Sequence, residues 1–191
     1  MAGDLGMSAS EVHAAARAVL RFWLEETPAK LHYAKNDGLD AAIAERFGVL
    51  RDTVLRTKAA GWTDEPDTLL AAIILLDQFS RNLFRGQAEA FAGDALARSL
   101  TKAAVRSGWD GGMTGNERAF LYMPLMHSED SADQAASVTA FAASASDNLK
   151  YARDHAAVIE RFGRFPSRNA ALGRTSTPAE VEYLSQPGAG W

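Results

Sequence analysis

The segment LLDQFSRNLFRG, residues 75–86, is the most informative stretch of the chain for chemistry. Leu70, Ile74, Asp77, Arg81 and Phe84 recur at the spacing of one helix face, so two charges continue an apolar stripe. An i,i+4 ion pair between Asp77 and Arg81 that orients neighbouring helices would explain them without any function, because partly buried charges are normally paired. The functional reading is an arginine-lined pocket. Arg81 and Arg85 lie one turn apart, and Gln78 and Asn82 offer amide hydrogen bonds beside them. A guanidinium fork suits a carboxylate or a phosphate.

A second cluster is MHSEDSADQ, residues 126–134. His127, with Glu129 or Asp130, is the candidate catalytic acid/base pair, and Asp133 adds a further oxygen donor. The spacing matches no H-E-x-x-H, E-x-x-H or calcium-loop pattern, so no metal site and no cofactor is assigned. Acidic side chains entering a helix are also favoured by its dipole, which explains the carboxylates but leaves His127 open. Further on, His155 shares a stripe with Tyr151, Val158, Ile159 and Phe162, where a histidine is more often a hydrogen-bonded core residue than a catalyst. Arg161, Arg164, Arg168 and Arg174 then fall within fourteen residues of a chain that is acidic overall. Such basic density in a loop suggests anion contacts, here Arg164 and Arg168 with Asn169 beside them, although arginines capping helix carbonyls would look the same. No G-x-S-x-G elbow, phosphate-binding G-x-x-x-x-G-K-[ST] loop or dinucleotide fingerprint is present.

The elements that must position these residues are helices. Ser or Thr followed three residues later by Glu or Gln marks four helix starts: Ser8/Glu11, Thr114/Glu117, Ser131/Gln134 and Thr177/Glu180. The hydrophobic spacing predicts helices over about 11–26, 39–60, 64–86, 88–107, 116–126, 131–162 and a short one after Thr177. The third carries LLAAIILL and is the expected central helix. Pro124 should kink or end the fifth, and the length of the sixth calls for a break near 144–147. No segment alternates with a two-residue period over strand length, so no sheet is expected.

Composition bounds the rest. The 191 residues, 47% of them hydrophobic, suit a single helical domain with flexible ends at 1–8 and 186–191. A net charge of -4 supplies no basic field for nucleic acid or a membrane surface, so neither is an expected partner. The longest apolar run, Leu69 to Leu76, is far short of the roughly 20 residues needed to cross a bilayer. The N-terminus does not read as a secretory signal, and the absence of cysteine fits a reducing cytoplasm.

Four segments in order, FWLEETP (22–28), LLDQFSRNLFRG (75–86), FLYMPLMHSEDSADQ (120–134) and RFGRFPSRNAALGRTSTPAE (161–180), resemble the bacterial proteins known as domain of unknown function 924. The resemblance spans nearly the whole chain. It implies an all-α, tetratricopeptide-like fold of irregular antiparallel helical hairpins, with about seven helices, and it implies no established activity. This chain has Ser80 and Ser167 where the family pattern reads Pro and His, while Arg81, Asn82, Arg168 and Asn169 match. The expected function is the binding of a small anionic ligand or peptide carboxylate by Arg81, Arg85, Arg164 and Arg168, with Asp77, His127 and His155 orienting them. An enzyme built on His127, or a helical interaction scaffold, are the alternatives.

Overall fold

The computed structural model describes residues 7–144 and 146–190, and no strand occurs among them. Among the described residues, eight helices carry the fold. Helix α1 (Ala9–Leu20) starts at the expected box: the Ser8 hydroxyl accepts from the Glu11 amide, and the Glu11 carboxylate accepts from the Ser8 amide at 2.8 Å. It widens into a π turn, Arg21–Glu26, before Pro28. Helix α2 (Asp37–Arg56) is capped by Asn36, whose Oδ1 accepts from the Leu39 amide.

Helix α3 begins at Pro66, where a missing N–H costs nothing, and runs as Pro66–Ile74, a π turn Leu75–Phe79 and a last turn Ser80–Leu83. Every residue from Thr68 to Ser80 is buried. An element buried on all sides must be central, and α3 packs against α1, α2, α4 (Asp94–Arg106) and α5 (Gly115–Met126). Each fully buried leucine or isoleucine contributes about 1.5–3 kcal/mol. Gly93, just before α4, lies against α3 so closely that a Cβ there would meet the Leu76 carbonyl oxygen at 2.6 Å.

Pro124 sits inside α5 without ending it there; the helix runs two residues further, to Met126. The long sixth segment divides as expected, into α6 (Ser131–Ala143) and α7 (Leu149–Phe162), which pack on each other. One helix start differs from expectation. Asp130, not Ser131, caps α6, its Oδ1 accepting from the amides of Ala132 and Asp133 at 2.9 and 3.1 Å. Gln134 is thereby released from a capping box and instead donates to the carbonyls of Met126 and Ser128 where α5 ends.

The main core extends from Val12 to Ala152, and a smaller one joins Val158, Ile159 and Phe165 under Tyr183. Gly163 ends α7 in the left-handed region, φ 69°, and turns the chain back toward α5 and the short α8 (Pro178–Leu184). At the ends expected to be flexible, Met7 packs on the main core, Ser8 caps α1, and the Ala189 amide closes a turn on Gln186. Residues 1–6 and 191 lie outside the described residues. No helix of the described residues is long and apolar enough to cross a membrane.

Candidate functional site

The last turns of α3, the end of α5, α7 and the 164–169 turn enclose a cavity of about 600 Å³. That is within the range of small-molecule sites. Of the residues singled out from sequence, Gln78, Arg81, Asn82, Arg85, His127, His155 and Arg168 line it. The segments they come from lie far apart in the chain, so the fold has assembled them. Asp77 stands directly behind His127.

A π turn, Leu75–Phe79, lies where α3 meets the cavity. An i→i+5 turn inserts an extra residue into the helical repeat, and such turns recur at functional sites. Gln78 lies within this one, and Gln78, Arg81, Asn82 and Arg85, spaced i, i+3, i+4 and i+7, all reach the cavity as one face of the helix. Ser80 stands buried just past this turn, and its hydroxyl accepts from Nε of the buried Arg51 at 2.8 Å.

Asp77, 1% exposed, joins one cation, one ring and one amide. Its Oδ1 lies 3.0 Å from Nη1 of Arg81 and 2.8 Å from Nδ1 of His127, while Oδ2 accepts from the Gln78 amide at 2.5 Å. Burial alone would raise its pKa, but the charge of Arg81 and the hydrogen bonds from His127 and Gln78 outweigh it and hold the carboxyl well below the usual range. Arg81 also forks onto Asp94, at 2.9 and 3.0 Å. Asp94 is the first residue of α4, where the helix dipole favours a carboxylate.

Asp94 is shared. Arg168 donates to it at 3.1 Å from Nη1, and from Nη2 to the His127 carbonyl at 2.9 Å. Its guanidinium lies between the rings of Phe91 and Phe165, 4.7 and 4.5 Å from their centroids. Burial, and then the neighbouring charge of Arg81, push its pKa down to about 10 in spite of Asp94. Arg85, by contrast, has a partner of its own in Asp40, which accepts from its Nε at 2.7 Å and Nη2 at 2.9 Å and also from Asn82.

His127 is the C-cap of α5. Burial pushes its pKa below 6.5, and Asp77 only partly opposes that. His155 donates from Nδ1 to the Tyr151 carbonyl at 2.8 Å; burial and then the neighbouring His127 push its pKa down to about 3. The two rings lie 5.9 Å apart. Tyr33, Tyr151, Phe91, Phe165, Met123 and Met126 supply the apolar wall.

The remaining sequence candidates stand elsewhere. The carboxylate beside His127 is Asp77, not Glu129 or Asp130. Glu129 accepts two bonds from Arg174, at 2.8 and 2.9 Å, and one from the Phe165 amide, while Asp130 caps α6. Asp133 is held by Arg98, Lys102 and Ser128. Arg164 forks onto Glu180 at 2.7 and 2.8 Å, and Asn169 donates to Ser176 and Glu180, so both fasten the C-terminal segment instead of facing the cavity. Arg161 packs on Phe162 at the surface.

Sequence reading misses Asp94 and the aromatic wall. A signal for Asp94 exists in Gly93, whose lack of a side chain lets α4 approach α3, but a lone glycine before a helix does not announce that. Among the described residues, no group of three or more His, Asp or Glu side chains is arranged to hold a metal ion.

The family model described as a bacterial protein of unknown function (DUF924) matches residues 19–188. The chain is also similar to a solved protein of unknown function from Agrobacterium tumefaciens, ATU0120. The two share 36% identity with a TM-score of 0.86, over 91% of this chain and 98% of that one. No curated protein matches.

Proposed function

The chain belongs to the DUF924 family of bacterial proteins of unknown function, and from its cavity we propose that it binds a small organic anion with an aromatic or apolar body. One observation carries this reading: a buried and a partly buried guanidinium, Arg168 and Arg81, share one carboxylate. Asp94 serves both Arg81 and Arg168, and Asp77 is already committed to Arg81 and His127. Arg168 therefore faces the cavity without a carboxylate of its own, and it has more N–H donors than its bonds to Asp94 and His127 use. A ligand carboxylate or phosphate can accept from these remaining donors. The aromatic and methionine walls fit the rest of the ligand. In this reading the protein works in the cytoplasm, on neither nucleic acid nor membrane.

Titration with phenylacetate, acetate and inorganic phosphate, followed by thermal unfolding, tests the proposal. Phenylacetate is expected to raise the melting temperature most, because it fills both parts of the site; a ligand at 100 times its Kd stabilises by about 2.7 kcal/mol. Arg168→Ala, checked for fold by circular dichroism, should abolish the effect. Absence of stabilisation by all three anions, or stabilisation that survives Arg168→Ala, would overturn it.

A further inference from the structure

The Asp77–His127 pair does more than neutral binding requires. Arg81 and Asp94 already tie α3 to α4, and Arg168 already caps the end of α5 through the His127 carbonyl. Yet the fully buried carboxylate of Asp77, besides meeting Arg81 and Gln78, also holds one nitrogen of a histidine that lines the cavity. An ionised carboxylate can only accept, so the proton of that bond belongs to Nδ1 of His127. In the neutral ring the lone pair then lies on Nε2, the nitrogen left for the cavity. This is the arrangement in which a carboxylate fixes the tautomer and orientation of a general base. The π turn that delivers Asp77, and the cap that fixes the His127 backbone, hold both members in place.

Resting on the ligand reading above, we propose that this cavity is an active site in which His127, positioned by Asp77, activates water to hydrolyse an ester that bears a carboxylate. Among the described residues lining the cavity there is no Ser, Thr, Cys or Lys, so water is the nucleophile the proposal names. Nε2 takes a proton from water as the water oxygen bonds to the ester carbon. The carbonyl oxygen becomes an oxyanion beside the guanidinium of Arg81, while Arg168 holds the substrate carboxylate. The tetrahedral intermediate collapses, the bond from carbon to the leaving oxygen breaks, and Nε2–H returns its proton to the departing alkoxide. One ester and one water give one acid and one alcohol, and the histidine ends as it began.

The probes are the mono-4-nitrophenyl esters of succinate and glutarate, each with a free carboxylate for Arg168 and a chromogenic aromatic leaving group. Phenylacetate binding is measured in parallel on every variant. The wild-type protein should release nitrophenolate above the uncatalysed rate, and His127→Asn should lose at least about 100-fold in kcat/KM while still binding phenylacetate. His13→Asn, a change on α1 outside the cavity, should leave the rate unchanged and so exclude hydrolysis by a surface imidazole. The acid limb of the wild-type pH profile should lie below 6.5, the ordinary histidine value, because burial lowers His127. Asp77→Asn should move that limb lower still, since the charge that sustains the imidazolium is removed; a merely structural role for Asp77 would lower the folded fraction without moving the limb.

Phenylacetate binding without hydrolysis, or hydrolysis that persists in His127→Asn, overturns the catalytic proposal and leaves the binding reading standing. Neither binding nor hydrolysis overturns both.

Discussion

Arg168 and Arg174 stand six residues apart in one loop, and the chain uses them in opposite ways. Arg174 is matched fork to fork by Glu129, and nearby Arg164 is matched in the same manner by Glu180. These pairs form a latch. They hold the 164–180 segment against the end of α5 and the start of α8, and each cation has its own carboxylate. In the cavity, Arg81 and Arg168 divide one carboxylate between them and meet a histidine that is already committed to another. Matched charges leave nothing for a ligand to do. A shared carboxylate leaves guanidinium N–H donors for a ligand, so function is placed by unused donors and not by the number of arginines.

Substitutions should separate the two regions. The largest effect is expected from Asp94→Ala, which leaves two adjacent guanidiniums with Asp77 alone; stability should fall by about 3 kcal/mol in urea unfolding. If the loss were no larger than for a latch residue, the shared carboxylate would not be the electrostatic centre of the site.

Acid should act next. His155 has a folded pKa of about 3 against an ordinary 6.5, so between these values the unfolded chain takes the proton and the folded one does not. Stability then falls as pH falls, by up to about 1.4 kcal/mol per pH unit. His127 and His32 are lowered too and add with the same sign. The depressed carboxylates Asp77 and Glu129 contribute stability that is present above their ordinary values and lost only further down, as pH drops toward their folded values. Unfolding measured at about pH 7, 6 and 5 should show the histidine slope, and His155→Gln should flatten it. A slope unchanged by that variant would contradict the buried neutral ring.

In the latch, Glu129→Ala should cost only about 1 kcal/mol, because water reaches both Glu129 and Arg174 and replaces part of the pair. Phenylacetate should still stabilise this variant, whereas it should not stabilise Arg168→Ala. Arg161→Ala, at the exposed surface, should change stability by less than about 0.5 kcal/mol and leave ligand response intact.

Much of this architecture is legible in the amino-acid sequence. Three of the four capping boxes form, and LLAAIILL marks α3 as the centre because no other segment is apolar on every side. Asp77 and Arg81 are legible as charges inside that stripe. Periodicity does not reveal the π turn, but it does group Gln78, Arg81, Asn82 and Arg85, which at i, i+3, i+4 and i+7 share one helix face. Nor does it sort the loop arginines. Arg164, Arg168 and Asn169 occur where no helical period fixes direction, and only Arg168 of the three reaches the cavity. The partner of His127 escapes a sequence reading for a related reason: Glu129 and Asp130 are near in sequence, but the helix end points the ring back at α3.

The most direct test of the central claim is side-chain nuclear magnetic resonance of the histidines during titration with phenylacetate at neutral pH. The protein without ligand should show His127 neutral, with its proton on Nδ1, and phenylacetate should shift the His127 and His155 ring signals in proportion to occupancy while leaving His13 unmoved. Signals of His127 and His155 that stay unchanged up to about 10 mM phenylacetate, well above a millimolar Kd, would contradict the account.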